Sequence, residues 1–382
     1  MTDAETPLWR CRNCQRTYGA DWLHPACRVC GGPLDRIRPI RFDPNGERDE
    51  APGIWRYGAS FALPHLPPLS LGEGRTPLQP VQRRGRQVYV KREDANPSGS
   101  VKDRAAALLF AWARARQVDR VLTLGTPNTL RAWRLYGRAA KTQVRALAPA
   151  TEPWAHSRRG GVHLFPGPIW ETMTALHREA HPVLTPYHPL ALDAYATIAY
   201  EVVAQLGRAP GTVVAPVGQG GLLLGIGRGF VALLQAGVIQ TMPMLVGVEP
   251  LARAGMWALS RGGRETHLWV REEAPVPTPE AGRRFPWWGD LLLQLVAWSQ
   301  GHFVAVDEED WSRSRDIFLR TGLYLQPETA LVWAAWAVQG RAWPEPVVLV
   351  LTGGVRTPLQ RWRVRWRVWK ARRLSGWDKG LL

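Results

Sequence analysis

Beyond residue 102, apolar helical stretches alternate with short β runs, and that alternation confines the chain to an α/β fold with a mostly parallel sheet. The spacing predicts helices over 105–115, 130–140, 191–206 and 222–235. It predicts strands over 120–124, 143–147, 212–217, 244–248 and 347–351. Parallel neighbours need a crossover long enough to hold a helix, and ligands then collect beyond the carboxyl ends of the strands. No internal repeat or low-complexity tract interrupts the pattern. With 382 residues, 45% of them apolar, the chain has material for a sizeable core and two or three structural units.

No run reaches the roughly 18 consecutive apolar residues of a membrane span, and the N-terminus carries Asp3 and Glu5 without an apolar run. A cytoplasmic protein without a signal peptide is expected. The formal charge of +17, from 49 basic and 32 acidic residues, bears on solubility and anionic ligands, not on fold.

All four cysteines lie at the start, as Cys11-x2-Cys14 and Cys27-x2-Cys30 with twelve residues between the pairs. Two such knuckles can set four thiolates tetrahedrally about one Zn²⁺, and Gly31-Gly32 gives the second knuckle its turn. Four protein ligands leave no open position for catalysis, so a structural zinc ribbon over residues 1–40 is expected. Residues 41–66, rich in Pro, Gly and charge, read as a connector.

Lys102 closes the run Lys91-Arg92-Glu93-Asp94-Ala95-Asn96-Pro97-Ser98-Gly99-Ser100-Val101-Lys102-Asp103-Arg104, a polar turn that delivers one lysine to the start of an apolar helix. Partial desolvation beside unpaired helix N–H groups lowers a lysine's pKa and favours the neutral amine that attacks carbonyls. Further on, the 212–217 strand runs into Gly218-Gln219-Gly220-Gly221-Leu222 and then a helix. Glycines let the backbone approach closely, and the helix presents its positive end, so the turn can cradle a phosphate. Gly-rich strand-to-helix turns also bind dinucleotides or merely pack, although no G-x-G-x-x-G or G-K-[ST] stands in the right place. The 347–351 strand ends at Thr352-Gly353-Gly354, where a hydroxyl either meets a ligand or caps a turn.

Together these strings resemble the threonine synthase branch of the fold-type II pyridoxal-phosphate enzymes. The lysine run is similar to K-x-E-x-x-N-P-T-G-S-F-K-D-R, with Ser98 for Thr and Val101 for Phe. Residues Ser70-Leu71-Gly72-Glu73-Gly74-Arg75-Thr76-Pro77-Leu78 resemble S-L-G-E-G-N-T-P-L, with Arg75 for Asn. The glycine turn resembles V-G-N-G-G-N-L-x-G, with Gln219 and Leu222 for the two Asn. Pro189-Leu190-Ala191-Leu192-Asp193-Ala194-Tyr195-Ala196-Thr197-Ile198-Ala199-Tyr200-Glu201 is similar to P-x-x-x-D-G-x-x-T-I-A-Y-E, a helix read as architecture. Val246–Pro250 and Tyr324–Ala330 look like two further elements in the same order, and short zinc ribbons precede many members of this branch.

The resemblance implies two parallel-sheet α/β subdomains over residues 41–358, the smaller, about 92–187, inserted in the larger. It implies pyridoxal 5'-phosphate held by Lys102, with Gly218, Gln219, Gly220, Gly221 and Leu222 on its phosphate, Asn128 beside the ring oxygen and Thr352 at the ring nitrogen. The implied reaction is β/γ-elimination or replacement on an amino acid, which for threonine synthase converts O-phosphohomoserine and water to threonine and phosphate. Arg75, Thr126 and Asn128 are then the substrate-binding candidates, and a homodimer is the expected assembly.

One loop departs from the pattern. Where the branch has S-[ST]-G-N-T, this chain has Gly125-Thr126-Pro127-Asn128-Thr129, and Pro127 removes an N–H donor from the substrate-carboxylate loop. Losing one charge-assisted donor weakens carboxylate binding by roughly 1.5–3 kcal/mol. Another amino-acid substrate, as for a dehydratase or related synthase, or a non-catalytic binding scaffold, are the alternatives this raises. The stretch 149–186, with Trp154, Arg158, Arg159 and Trp170, and His188 just beyond, matches no family pattern and receives no catalytic role. The tail over 359–382, with its Arg361-Trp362-Arg363 repeat of cation and apolar group, reads first as an arm laid on the body or a partner subunit. A nucleic-acid or membrane contact is its second reading.

Overall fold

The computed structural model describes residues 6–83, 85–149, 162–165, 181–261, 287–307 and 327–354, with Leu176 and Ser314. The 359–382 tail and most of the 149–186 stretch lie outside the described residues.

Three short strands come first, β1 (Trp9–Cys11), β2 (Thr17–Tyr18) and β3 (Leu34–Arg36), forming an antiparallel sheet in the order β2-β1-β3. The connector contains one 3-10 segment, Gly53–Ser60, whose Ile54, Trp55 and Tyr57 are buried. Then follow β4 (Leu78–Arg83), β5 (Arg86–Lys91), α1 (Lys102–Ala115), β6 (Arg120–Leu124), α2 (Pro127–Ala140), β7 (Gln143–Pro149) and β8 (Val162–Phe165). The second half holds α3 (Leu190–Leu206), β9 (Thr212–Pro216), α4 (Gly221–Gln235), β10 (Met244–Pro250), α5 (Gly255–Ser260), α6 (Gly289–Trp298), β11 (His302–Val306), α7 (Pro327–Gln339) and β12 (Val347–Val350).

Two further sheets organise these elements. The larger has six strands in the order β11-β10-β9-β12-β5-β4, all neighbours parallel except β4 with β5. The smaller is β6-β7-β8, wholly parallel, and Val183 adds a parallel bridge to Leu122 on the free side of β6. Strands buried on both faces read as continuous apolar runs, and β9, β10 and β12 are of that kind.

Close helix packing fixes the middle of the molecule. On α4, a Cβ added at Gly225 would lie 2.7 Å from the Tyr195 Cβ, and one at Gly229 would lie 2.6 Å from the Ala196 carbonyl oxygen. Glycine at both positions therefore lets α3 and α4 approach backbone to backbone. Among the described residues no helix is long and apolar enough to cross a membrane.

Candidate active site

β9 and β12 are adjacent and parallel, with Val347, Val348 and Leu349 opposite Thr212, Val213 and Val214. Their carboxyl ends therefore open on the same crevice, where open α/β sheets bind ligands. The first end carries the glycine turn and the second carries Thr352.

The lysine run is drawn to the same place by backbone pairing. Ser100 bridges Gly353, and the Val101 amide donates to the Thr352 carbonyl at 2.9 Å. Gly99, at φ 89°, makes the turn that leads into this contact. Lys102 then opens α1, with its amine 3.5 Å from the Tyr195 hydroxyl and 5.5 Å from the centre of that ring. Part of the lysine side chain remains accessible, yet the surrounding protein is dense, and desolvation pushes its pKa down to about 8. The Thr352 hydroxyl lies 3.3 Å from that of Thr329, which in turn donates to the Gly353 carbonyl at 3.0 Å.

The glycine turn has the form a phosphate requires. Gly220, at φ 83°, precedes the first residue of the 15-residue α4, and nothing lies within 4 Å of the place a Gly218 Cβ would take. Gly221 has no such freedom, since its Cβ would meet the Trp288 ring at 2.6 Å. Gln219 accepts a hydrogen bond from the Trp287 amide at 3.4 Å, and Leu222 is partly buried in the first turn of α4.

Gly125–Thr129 sits at the end of β6 and the start of α2, with Thr126 preceding the helix and Pro127 as its first residue. The Thr126 and Thr129 hydroxyls are 3.4 Å apart, and a Cβ at Gly125 would collide with Thr129 at 2.7 Å. Asn128 occupies the first turn. One turn later Arg131 donates to the Ser98 carbonyl at 3.4 Å, which sets the start of α2 against the lysine turn. Arg75 is exposed at φ 49°; its amide donates to Glu201 at 2.8 Å, and its guanidinium is turned to the carbonyls of Asp49 and Ala51.

Behind the lysine lies a buried charge network that the sequence reading passed over. Lys91, Glu93, Arg104 and Glu201 are at most 3% exposed. Arg104 bonds Glu93 at 2.7 and 2.8 Å and Glu201 at 2.8 Å, while Lys91 reaches Glu201 at 2.6 Å. Burial alone would raise the Glu201 carboxyl, but the Arg104 and Lys91 charges outweigh it and hold the group below the usual range. Thr76 and Asn96 complete the set through Glu93, at 2.6 and 2.7 Å. The polar residues of the lysine run thus brace the turn that carries Lys102.

The four cysteines converge as well. Their sulfurs all lie within 4.8 Å of one another, with Cys11 and Cys30 at 3.4 Å and Cys14 and Cys27 at 3.5 Å. A tetrahedral ion with bonds of about 2.3 Å needs sulfurs about 3.8 Å apart, so the cluster fits a metal. His188 is not part of either site. It is buried between Trp9 and Trp112, at 5.1 and 4.8 Å, and burial pushes its pKa down to about 3.

Residues 69–353 match the family model described as pyridoxal-phosphate dependent enzyme. The chain belongs to that family. Pyridoxal phosphate is accordingly its cofactor and an amino acid its substrate class, and Lys102 with the crevice at β9 and β12 lies inside the matched span. Among relatives, a threonine synthase of Methanosarcina acetivorans is 26% identical, with 90% of each chain covered. One of Methanocaldococcus jannaschii is 26% identical, with 85% of each chain covered. Of solved structures, maize serine racemase gives a TM-score of 0.60 at 17% identity, covering 82% of this chain and 98% of that one. A fungal L-serine ammonia-lyase from Rhizomucor miehei gives 0.56 at 20%, covering 77% and 98%. These two structures establish the fold of this family member.

Proposed function

We propose that the chain is a threonine synthase, acting on O-phosphohomoserine and water to give threonine and phosphate. The observation that carries this reading is the Methanosarcina acetivorans threonine synthase that matches 90% of this chain over 90% of its own length. Lys102 is assigned the cofactor and the proton at the substrate Cα. Its burial makes the neutral amine accessible near pH 8. Bound pyridoxal phosphate supplies the electron sink that stabilises a carbanion at that carbon. The amides of Gly218–Leu222 and the positive end of α4 are assigned the cofactor phosphate. Asn128 is assigned the ring oxygen and Thr352 the ring nitrogen, where a hydroxyl leaves the ring less strongly protonated than a carboxylate does. Thr126 and Asn128 take the substrate carboxylate, and Arg75 the substrate phosphate after release from the Asp49 and Ala51 carbonyls.

The four cysteines are assigned one structural zinc ion. Residues 1–40, 41–358 and 359–382 are assigned as ribbon, enzyme and tail, in a cytoplasmic homodimer whose tail lies on the body or the partner. Deleting 359–382 and measuring oligomer size and nucleic-acid retention tests the tail.

The decisive assay is phosphate release with threonine formation from O-phosphohomoserine. Protein that develops visible absorbance with pyridoxal phosphate yet leaves phosphohomoserine intact would favour a second reading, a dehydratase or related synthase. Pro127 at the first position of α2 supports that alternative, because it lacks the N–H that a substrate carboxylate would meet. An Arg75→Ala enzyme with unchanged phosphohomoserine KM would remove Arg75 from the assignment.

A further inference from the structure

Trp288 spans the distance between the cysteine ribbon and the glycine turn. Its indole Nε1 donates to the Leu34 carbonyl of β3 at 3.2 Å, a short way past Cys30. The far edge of the same ring fills the space beside Gly221, where an added Cβ would come within 2.6 Å. The residue is fully buried, so neither contact is shared with water. The preceding residue meets the turn too, the Trp287 amide donating to the Gln219 side chain at 3.4 Å. Trp287 and Trp288 together therefore touch the second and fourth residues of Gly218–Leu222.

Two ion pairs hold the ribbon against the same helices. Asp35, in β3, binds Arg228 of α4 in bidentate fashion at 2.6 and 2.8 Å. Arg12, between the first two cysteines, reaches Asp290 at the start of α6 at 2.6 Å. The body of α4, and the start of α6 beside Trp288, are thus held by elements whose own shape depends on four convergent sulfurs. A turn built from Gly218, Gly220 and Gly221 has little rigidity of its own, and its amides bind an anion well only when they are held in one orientation.

We propose that Trp288 is a positioning residue through which the metal-bearing ribbon sets the geometry of the phosphate turn, so that cofactor affinity depends on the metal in the ribbon. The proposal rests on the reading of Gly218–Leu222 as the phosphate site. Binding linkage then runs both ways: metal favours cofactor, and cofactor favours metal.

The test compares pyridoxal phosphate with pyridoxal, which lacks the phosphate, by titrating visible absorbance in the full-length protein. Trp288→Phe keeps most of the ring and loses the N–H, so its Kd for pyridoxal phosphate is expected to rise roughly threefold to tenfold. Trp288→Ala loses both contacts, and a rise of about thirtyfold or more is expected. Neither change should move the Kd for pyridoxal, whereas general destabilisation would weaken both ligands alike. Removing the ribbon metal from the wild type with a chelator should reproduce the selective loss, and doing so in Trp288→Phe should add less than it does in the wild type. Wild-type affinity in Trp288→Phe, equal loss for both ligands, or a metal-free protein with full affinity would each overturn the proposal. Gly220→Ala separates the two levels. If that variant keeps its preference for the phosphorylated ligand, the assignment of the turn itself fails; if it loses the preference while Trp288 variants keep it, only the coupling fails.

Discussion

A protonated amine cannot attack a carbonyl, so the desolvation that brings Lys102 to about 8 decides how fast the crevice takes up an aldehyde. At pH 7 roughly a tenth of such a side chain is neutral, against well under a thousandth for an ordinary lysine. Lowering a lysine pKa enlarges the neutral fraction at every pH below the ordinary value. Capture of pyridoxal phosphate should therefore accelerate from pH 6, pass its midpoint near 8 and level off roughly a unit above it, as stopped-flow absorbance will record. A midpoint near that of free lysine would remove desolvation from the account. Lys102→Ala should give no visible band and no borohydride-fixed adduct. Lysine and glycine turn were both readable because each is a local string. Tyr195, 93 residues from Lys102, was not, since nothing in a helix taken as architecture marks which of its side chains will face an amine. Arg75 illustrates the reverse difficulty, for its charge was plain in the sequence while its engagement by the Asp49 and Ala51 carbonyls depends on how the connector folds.

At the level of elements, helix and strand periodicity located most of what surrounds the crevice, and α1, α2 and α4 each begin one to three residues ahead of the apolar pattern because turn and cap residues carry no apolar signal. The strands β4, β5 and β11 of the large sheet escaped notice. Of these, β4 is a largely exposed edge strand containing Pro80, so it lacks the alternation that a half-buried strand displays. Its partner β5 carries Lys91 into the charge network, where Glu201 is shared between Lys91 and Arg104. Glu201→Gln should destabilise the protein by about 3–5 kcal/mol, because it leaves two buried cations short of a counter-charge. Chemical denaturation measures this directly. Since the folded-state pKa of Glu201 is depressed, its stabilisation is present above the ordinary glutamate value of 4.5 and is lost as pH falls below it. The variant's stability should accordingly respond less to acid than that of the wild type. Gly225→Ala should force α3 from α4 and cost about 1–3 kcal/mol, with a measurable rise in the Lys102 capture midpoint as water reaches Tyr195.

For the molecule as a whole, the ribbon contributes Trp9, Cys11, Cys27 and Leu34 to the same apolar core as α1, α3 and α4. Cys14→Ser should lower bound metal and the thermal midpoint together, because a closed thiolate site is part of the folding free energy. Metal analysis and calorimetry on one preparation test this, and an unchanged midpoint in a metal-free variant would separate ribbon from core. The cysteine spacing announced the ribbon, but its docking against α4 and α6 depends on tertiary contacts such as Asp35 with Arg228, which no local pattern encodes. β12 is last in chain order among the described strands, yet it lies between β9 and β5. While the ribosome is still short of residue 347, both neighbours expose an unpaired apolar edge, and the turn at Ser100 has no Gly353 to meet. A nascent or truncated chain should therefore depend on chaperones and aggregate without them.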